Sequence, residues 1–178
     1  QLKQYKDEGF VSPVNIFSKE KAKEIRDEIE LIEKKLPNEL EKTGRYNAHL
    51  ISPMLDEVTH NENILNAVES LIGGNILVCG TTLFIKNPGE GGFVSYHQDA
   101  KYIGLEPHNW VTAWVAITDS NENNGCMKMW SGSHKDNLKE HDQNFNEKNL
   151  LTRGQTVNNV PDDQVVPLVL NAVQMSLH

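Results

Sequence analysis

The sequence has few cysteines, a deficit of basic residues and no long apolar run. Cys79 and Cys126 are too few for a disulfide framework, and their apolar neighbourhoods predict small buried side chains. Lysine and arginine number 17 against 25 aspartates and glutamates, a net charge of −8, which argues against nucleic acid or an anionic membrane as the main partner. No run approaches the roughly 18 apolar residues of a transmembrane helix, and no signal segment opens the chain. We therefore expect a soluble, cytoplasmic protein.

The length of 178 residues suits a single domain with its own core. Residues 1–74 are predicted to be helical, because apolar residues recur at helical spacing in two stretches: Ala22, Ile25, Ile29, Ile32 and Leu36, then Ile64, Leu65, Val68, Leu71 and Ile72. Ser18 and Asn61 precede these stretches as helix caps, and Gly73 follows the second as a terminator.

The remainder, residues 75–178, is predicted to be rich in strands. Short apolar runs separated by turn residues lie at 76–85, 93–96, 111–118, 127–130 and 165–170. Helices followed by strands without intervening helices predict an antiparallel α+β fold, mainly β. A double-stranded β-helix (jelly-roll) core with the N-terminal helices packed on one sheet fits best. The polar, asparagine-rich segment at about 133–163 is predicted to be a long loop or lid.

The candidate site is the pair His97 and Asp99. Alternate residues of a strand point to the same face, about 6.6 Å apart, so an imidazole and a carboxylate so placed can bind one metal ion. A third ligand would complete the two-histidine, one-carboxylate arrangement that holds non-haem Fe(II). The spacing alone is weak evidence, since the chain also contains His60 and Glu62 at a helix start.

The surrounding residues make the assignment more specific. Characteristic pieces occur in order along nearly the whole chain, at 7–11, 67–73, 84–86, 97–102, 112–114, 124–127, 131–135, 150–155 and 175–178. Together they resemble the phytanoyl-CoA dioxygenase family, whose members are Fe(II)- and 2-oxoglutarate-dependent oxygenases with a jelly-roll core. The resemblance implies one oxygenase domain that is truncated at its C-terminus.

The resemblance also implies roles for individual residues. His97 and Asp99 would be iron ligands, and Trp114, Gln98 and Tyr102 would lie near the 2-oxoglutarate or substrate pocket. In the family the third ligand is a histidine a few residues further along than His178, and an arginine beyond it pairs with 2-oxoglutarate. Neither falls within this chain, so both are expected beyond His178.

The other histidines are predicted to have structural or surface roles. His134 is expected to satisfy loop backbone, His108 and His141 to be solvent-exposed, and His49 to pack at the surface or core. Lys86 could attract the acidic co-substrate, although a solvated lysine is the simpler interpretation.

The implied activity is hydroxylation of an unactivated C–H bond in a small metabolite, using O₂ and releasing succinate and CO₂. Related iron halogenases have a small residue at the carboxylate position, so Asp99 favours hydroxylation over halogenation. Two alternatives stay open: a non-catalytic jelly-roll binding protein with a vestigial or incomplete metal site, and a zinc hydrolase, for which no general base is evident beside the pair.

Overall fold

The computed structural model describes residues 1–37, 40, 45–151 and 153–178. Its α-helices are α1 (Leu2–Glu8), α2 (Lys19–Lys35), α3 (Pro53–Thr59), α4 (Glu62–Ile72) and α5 (Ala100–Ile103). Its strands are β1 (Val11–Asn15), β2 (Ala113–Val115), β3 (Lys128–Trp130), β4 (Asp142–Gln143), β5 (Gln155–Thr156), β6 (Val165–Pro167) and β7 (Gln174–Leu177). Short 3₁₀ turns occupy Ala48–Leu50, Glu122–Asn124, Ser133–Lys135 and Asp162–Gln164.

The two predicted helices are confirmed as α2 and α4. The Ser18 side chain caps α2 by accepting a hydrogen bond from the backbone N–H of Lys21, and Asn61 caps α4 in the same way. Helix α4 ends at Gly73, whose φ of 86° lies in the region that favours glycine. The buried residues of α2 are Ala22, Ile25 and Ile29, one face of the predicted stripe.

The main sheet places β7 between β1 and β2, with both pairings antiparallel. Met175 and Leu177 on β7 pack with Ile64 and Val68 of α4, so this helix covers one face of the sheet. Because side chains alternate along a strand, Ser176 points to the opposite face. That second face is the one that borders the candidate site.

The predicted strand at 76–85 is wrong as a regular strand, because among the residues that the structure describes it forms a single bridge, from Thr82 to Tyr46. An apolar, β-branched run adopts a strand only where a neighbour pairs with it, and this segment lacks a ladder within the described residues. Its Leu77 is 88% exposed. Cys79 is exposed too, so the prediction that it is buried is wrong, whereas the same prediction for Cys126 is confirmed.

The other predicted strands are shorter than expected. Runs 111–118, 127–130 and 165–170 contain β2, β3 and β6, and β3 pairs with β6 in a separate two-stranded sheet. Segment 93–96 forms no regular strand but is extended beside residues 148–150 and 155–157: the Phe93 N–H donates to the Lys148 carbonyl at 2.9 Å, and the Val157 N–H to the Tyr96 carbonyl at 2.7 Å. The polypeptide thus combines helices with small sheets.

The segment predicted as a long loop, about 133–163, contains two short paired strands among its described residues. Strands β4 and β5 pair within it, with Asp142 opposite Thr156 and Gln143 opposite Gln155. Its backbone hydrogen bonds to residues 93–96 place this hairpin beside the candidate site. Across the described ranges, none of the helices is both long and apolar enough to cross a membrane.

Candidate metal centre

The structure brings His97 and Asp99 together. The Nε2 atom of His97 lies 3.2 Å from Oδ1 of Asp99, and the two side chains are 23% and 31% exposed. His97 directly follows the extended segment 93–96, and Asp99 is the residue from which α5 begins. The pair is therefore positioned by the junction of an extended segment and a short helix, rather than by one continuous strand.

The hydrogen bonds of His97 define which of its ring nitrogens can bind a metal. Nδ1 lies 2.8 Å from the carbonyl oxygen of Ser95, and because a carbonyl can only accept, Nδ1 carries the hydrogen. In the neutral ring, Nε2 then presents a lone pair toward the Asp99 carboxylate. Two lone pairs at this distance repel unless a proton or a metal cation lies between them. The donor set thus fits a divalent cation.

The charges at the pair support the same conclusion. Burial alone would lower the pKa of His97, but hydrogen bonds with Asp99 and Ser95 outweigh it, so the pKa is raised. Burial would raise the pKa of Asp99, but hydrogen bonds with His97 and Thr112, together with the nearby histidines, bring it to about 2. Asp99 is therefore a carboxylate at neutral pH and is ready to bind a cation.

The second oxygen of Asp99 is held by Thr112. The Thr112 hydroxyl donates to Oδ2 at 2.6 Å and in turn accepts from Nε1 of Trp110 at 3.1 Å. Thr112 also pairs with His178 through two backbone hydrogen bonds, of 2.7 and 3.1 Å, which extend the contact between β2 and β7. The carboxylate therefore turns one oxygen toward His97 and the other toward the sheet.

Trp114 lies on the sheet face that borders the pair. Its neighbours Ala113 and Val115 pack into the core below the sheet, and Trp114 stands opposite Ser176 in the pairing of β2 with β7. Alternation along β2 then puts Trp114 on the same face as Thr112. The role near the co-substrate that the family resemblance implies for Trp114 stays a prediction.

His178 was not singled out as a ligand from the sequence, yet it lies next to the pair. Its Nε2 is 3.9 Å from Oδ2 of Asp99. Burial lowers the pKa of His178 to about 4, against the attraction of Asp99, so the imidazole is neutral at pH 7. Within the described residues, however, no three His, Cys, Asp or Glu side chains are arranged to hold a metal ion. His178 therefore borders the centre without completing it in this geometry.

Tyr102 and Gln98 occupy different surroundings. The Tyr102 ring lies 5.9 Å from the His97 ring between centroids. The Gln98 side-chain oxygen accepts from the backbone N–H of Lys139 at 2.6 Å, and the Gln98 N–H donates to Nε2 of His141 at 3.0 Å. Gln98 thus ties the hairpin segment to the metal motif. The prediction that His141 is solvent-exposed is wrong, because this contact leaves it half-buried.

Three buried polar atoms near the pair lack hydrogen-bond partners among the described residues: the Tyr102 hydroxyl, the Ser176 hydroxyl and Nδ1 of His178. Buried polar groups in folded proteins are nearly always paired, so unpaired ones mark places where a ligand or further polypeptide would bind. All three belong to the elements that hold His97 and Asp99. The centre therefore offers polar groups beyond the two metal donors.

The remaining candidates lie in other surroundings. His134 donates from Nε2 to the Lys6 carbonyl at 3.0 Å, which is the structural role predicted for it. Nδ1 of half-buried His49 lies 2.8 Å from the Thr81 hydroxyl, and His108 is exposed as predicted. The exposed Lys86 donates to the Gly125 carbonyl.

Fold and site define a helix-and-sheet protein with a histidine–carboxylate pair suited to a metal ion. The model of the phytanoyl-CoA dioxygenase (PhyH) family matches residues 5–172. The chain therefore belongs to the phytanoyl-CoA dioxygenase family, which confirms the resemblance seen in the sequence. Peroxisomal phytanoyl-CoA dioxygenase of Rattus norvegicus is 30% identical over 165 residues, covering 80% of this chain and 49% of the rat protein. The Homo sapiens protein is 39% identical over 83 residues, covering 44% and 25%.

Solved structures are similar over almost the whole chain. The apo form of the non-heme monooxygenase ThoJ matches with a TM-score of 0.84 and 29% identity, covering 99% of this chain and 66% of ThoJ. CytC3, solved with Fe(II) and alpha-ketoglutarate, matches with a TM-score of 0.63 and 22% identity, covering 99% of this chain and 65% of CytC3; at that identity the likeness shows the fold alone. The chain thus spans about half or less of these curated relatives and about two thirds of these solved proteins.

Proposed function

We propose that the chain belongs to an Fe(II)- and 2-oxoglutarate-dependent dioxygenase that hydroxylates an unactivated C–H bond of a small metabolite and releases succinate and CO₂. The observation that carries this proposal is the pair of donor atoms, Nε2 of His97 and Oδ1 of Asp99, which face each other at 3.2 Å. Membership of the phytanoyl-CoA dioxygenase family and the likeness to the non-heme monooxygenase ThoJ support it. The jelly-roll core predicted from the sequence is part of the same proposal.

In this proposal His97 and Asp99 supply two of three protein ligands to iron. The third is a histidine in sequence beyond His178, as the family resemblance implies. Two observations favour this: the described residues hold no complete ligand set, and the solved structures that match are about half as long again as this chain. Bound iron would activate O₂ with electrons that 2-oxoglutarate supplies.

The chain's own side chains would then orient and shield the reacting groups. Thr112 holds the far oxygen of Asp99, which leaves the near oxygen to bind iron. Trp114 and Tyr102 would shield the centre from water, and the Ser176 hydroxyl, which has no partner among the described residues, would donate to a bound carboxylate. Since Asp99 fills the carboxylate position, no place for a halide ligand is left there, which favours hydroxylation.

The test is anaerobic titration of the protein, in a version extended beyond His178, with Fe(II) and 2-oxoglutarate. A 2-oxoglutarate oxygenase develops a weak visible charge-transfer band, and exposure to O₂ then releases succinate. The matched control is Asp142→Ala, which removes an exposed carboxylate from β4 and should leave the band intact. If the wild-type protein stays colourless, the alternative of a binding protein with an incomplete metal site takes its place.

A further inference from the structure

A cavity of about 380 Å³ opens between α5 and the β4–β5 hairpin. Helix α5 begins at Asp99, so Lys101 and Tyr102 reach the cavity two and three residues after a proposed iron ligand. On the hairpin side the cavity is lined by His141, Gln143, Phe145 and Arg153. A molecule bound there would contact Tyr102, whose ring lies 5.9 Å from the His97 ring between centroids.

The charges in this cavity are positive, although the chain as a whole carries −8. Lys101 and Arg153 are both in its wall, and the wall contains no carboxylate. Within the described part of the chain, neither cation forms an ion pair with an acidic side chain. Two unpaired cations that converge on a concave surface attract an anion and hold it by charge-assisted hydrogen bonds.

The Tyr102 hydroxyl adds an independent indication of a ligand. It is buried and has no hydrogen-bond partner among the described residues. A phenol hydroxyl can donate a hydrogen bond, which an anionic oxygen accepts.

The hairpin fixes where Arg153 stands. The next residue, Gly154, has a φ of +64°, and its carbonyl accepts from the Asn144 N–H at 2.7 Å. Phe145, directly after Asn144, is 71% exposed at the cavity. An exposed phenyl ring beside two cations suits a ligand with an apolar body and an acidic group.

We propose that this cavity binds the acidic group, a carboxylate or a phosphate, of the substrate, which makes the substrate class a small organic anion. The acidic group contacts Lys101, Arg153 and the Tyr102 hydroxyl, and the apolar body lies against Phe145. The statement that the bound anion is the substrate rests on the proposed function. The existence of an anion-binding site does not depend on it. The carboxylates of 2-oxoglutarate have the same chemistry, so the experiment must separate the two sources.

Inorganic phosphate is the probe, titrated calorimetrically into the extended protein, both metal-free and loaded with Fe(II) and 2-oxoglutarate under nitrogen. The double variant Lys101→Gln/Arg153→Gln is expected to weaken phosphate binding at least about tenfold, because hydrogen bonds to charged groups are lost. Lys148→Gln is the matched control, an exposed lysine that does not line the cavity, and should bind phosphate like the wild type.

Separate readouts distinguish the outcomes. Unchanged phosphate affinity in the double variant overturns the anion site. The double variant could instead lose affinity for 2-oxoglutarate, measured by the charge-transfer band, while phosphate competes with 2-oxoglutarate in the wild type. That result would assign the site to the co-substrate and overturn the proposed substrate class. A wild-type protein that binds phosphate through Lys101 and Arg153 but gives no band supports the anion site while the proposed oxygenase function fails. A metabolite panel read by succinate release should yield anionic substrates, and a neutral best substrate would contradict the inference.

Discussion

The hydroxyl of Thr112 donates a 2.6 Å hydrogen bond to Oδ2 of Asp99, whose other oxygen lies 3.2 Å from His97. The contact joins the start of β2 to the start of α5 and fixes the rotation of the carboxylate. A carboxylate held in this way presents one oxygen to a metal and is poorly placed to bind through both. Thr112 is therefore a positioning residue for the proposed iron ligand.

Thr112→Val removes this hydroxyl while keeping nearly the same side-chain volume. Loss of an outer hydrogen bond to a metal ligand typically weakens metal affinity by about 10- to 100-fold, and we expect that range for Fe(II). Anaerobic Fe(II) titration followed by tryptophan fluorescence measures it. Thr112→Ser keeps the donor and should restore binding, whereas a valine variant with wild-type affinity would show that Thr112 has no positioning role.

Asp99→Ala removes a donor atom outright. We expect it to abolish succinate release and to reduce Fe(II) binding far more than Thr112→Val does, because one of the proposed protein ligands is lost. Asp142→Ala should match the wild type in both measurements. Full hydroxylation activity in the Asp99 variant would remove this residue from the ligand set.

Gln98 offers a test of the contact between the metal motif and the hairpin segment. Gln98→Leu removes the acceptor for the Lys139 N–H, and a net hydrogen bond of about 0.5–1.5 kcal/mol predicts roughly two- to tenfold faster local opening. Hydrogen–deuterium exchange of residues 136–143 measures this opening. Gln4→Leu, on α1, should leave exchange in that segment unchanged. Equal exchange in the two variants would mean that Gln98 does not hold the segment.

The sequence predicted best what depends on local pattern. Helices α2 and α4 followed from spacing and caps, because an amphipathic stripe and a capping side chain act within one helix. The strand predicted at 76–85 is reduced to a bridge from Thr82 to Tyr46 among the described residues, because strand pairing depends on a distant segment that local pattern does not reveal. Local pattern also does not reveal that β1 pairs with β7, because this pairing places Asn15 opposite Gln174 from the far end of the chain.

Some features of the candidate site can likewise be predicted from local sequence, and others depend on the fold. The spacing of His97 and Asp99 can be read from the local sequence, and the family resemblance implied that the two residues bind iron. The contact from Thr112 to Asp99 spans 13 positions and that from Gln98 to His141 spans 43, so each depends on how separate elements fold together. Thr112 lies in one of the pieces that carry the resemblance, but its role depends on how the start of β2 packs against the start of α5. His141 was predicted to be exposed because no sequence pattern around it indicates a partner, whereas in the structure its ring contacts the Lys139 carbonyl and the Gln98 N–H.

Gly154 provides the last prediction, because its conformation sets the hairpin that presents Arg153. A Cβ there would lie 2.7 Å from the Asn144 carbonyl oxygen and 2.8 Å from its carbon, and backbone atoms in a paired hairpin cannot move aside. Gly154→Ala should therefore cost more than the roughly 1–2 kcal/mol of a left-handed backbone alone. Gly89→Ala isolates that backbone cost, since Gly89 has a φ of +84° and open space around it.

We expect urea denaturation to show a greater loss of unfolding free energy for Gly154→Ala than for Gly89→Ala, and phosphate titration to show weaker binding only for Gly154→Ala. Equal losses of stability, with phosphate binding retained in both, would mean that the hairpin does not position the cationic wall of the cavity.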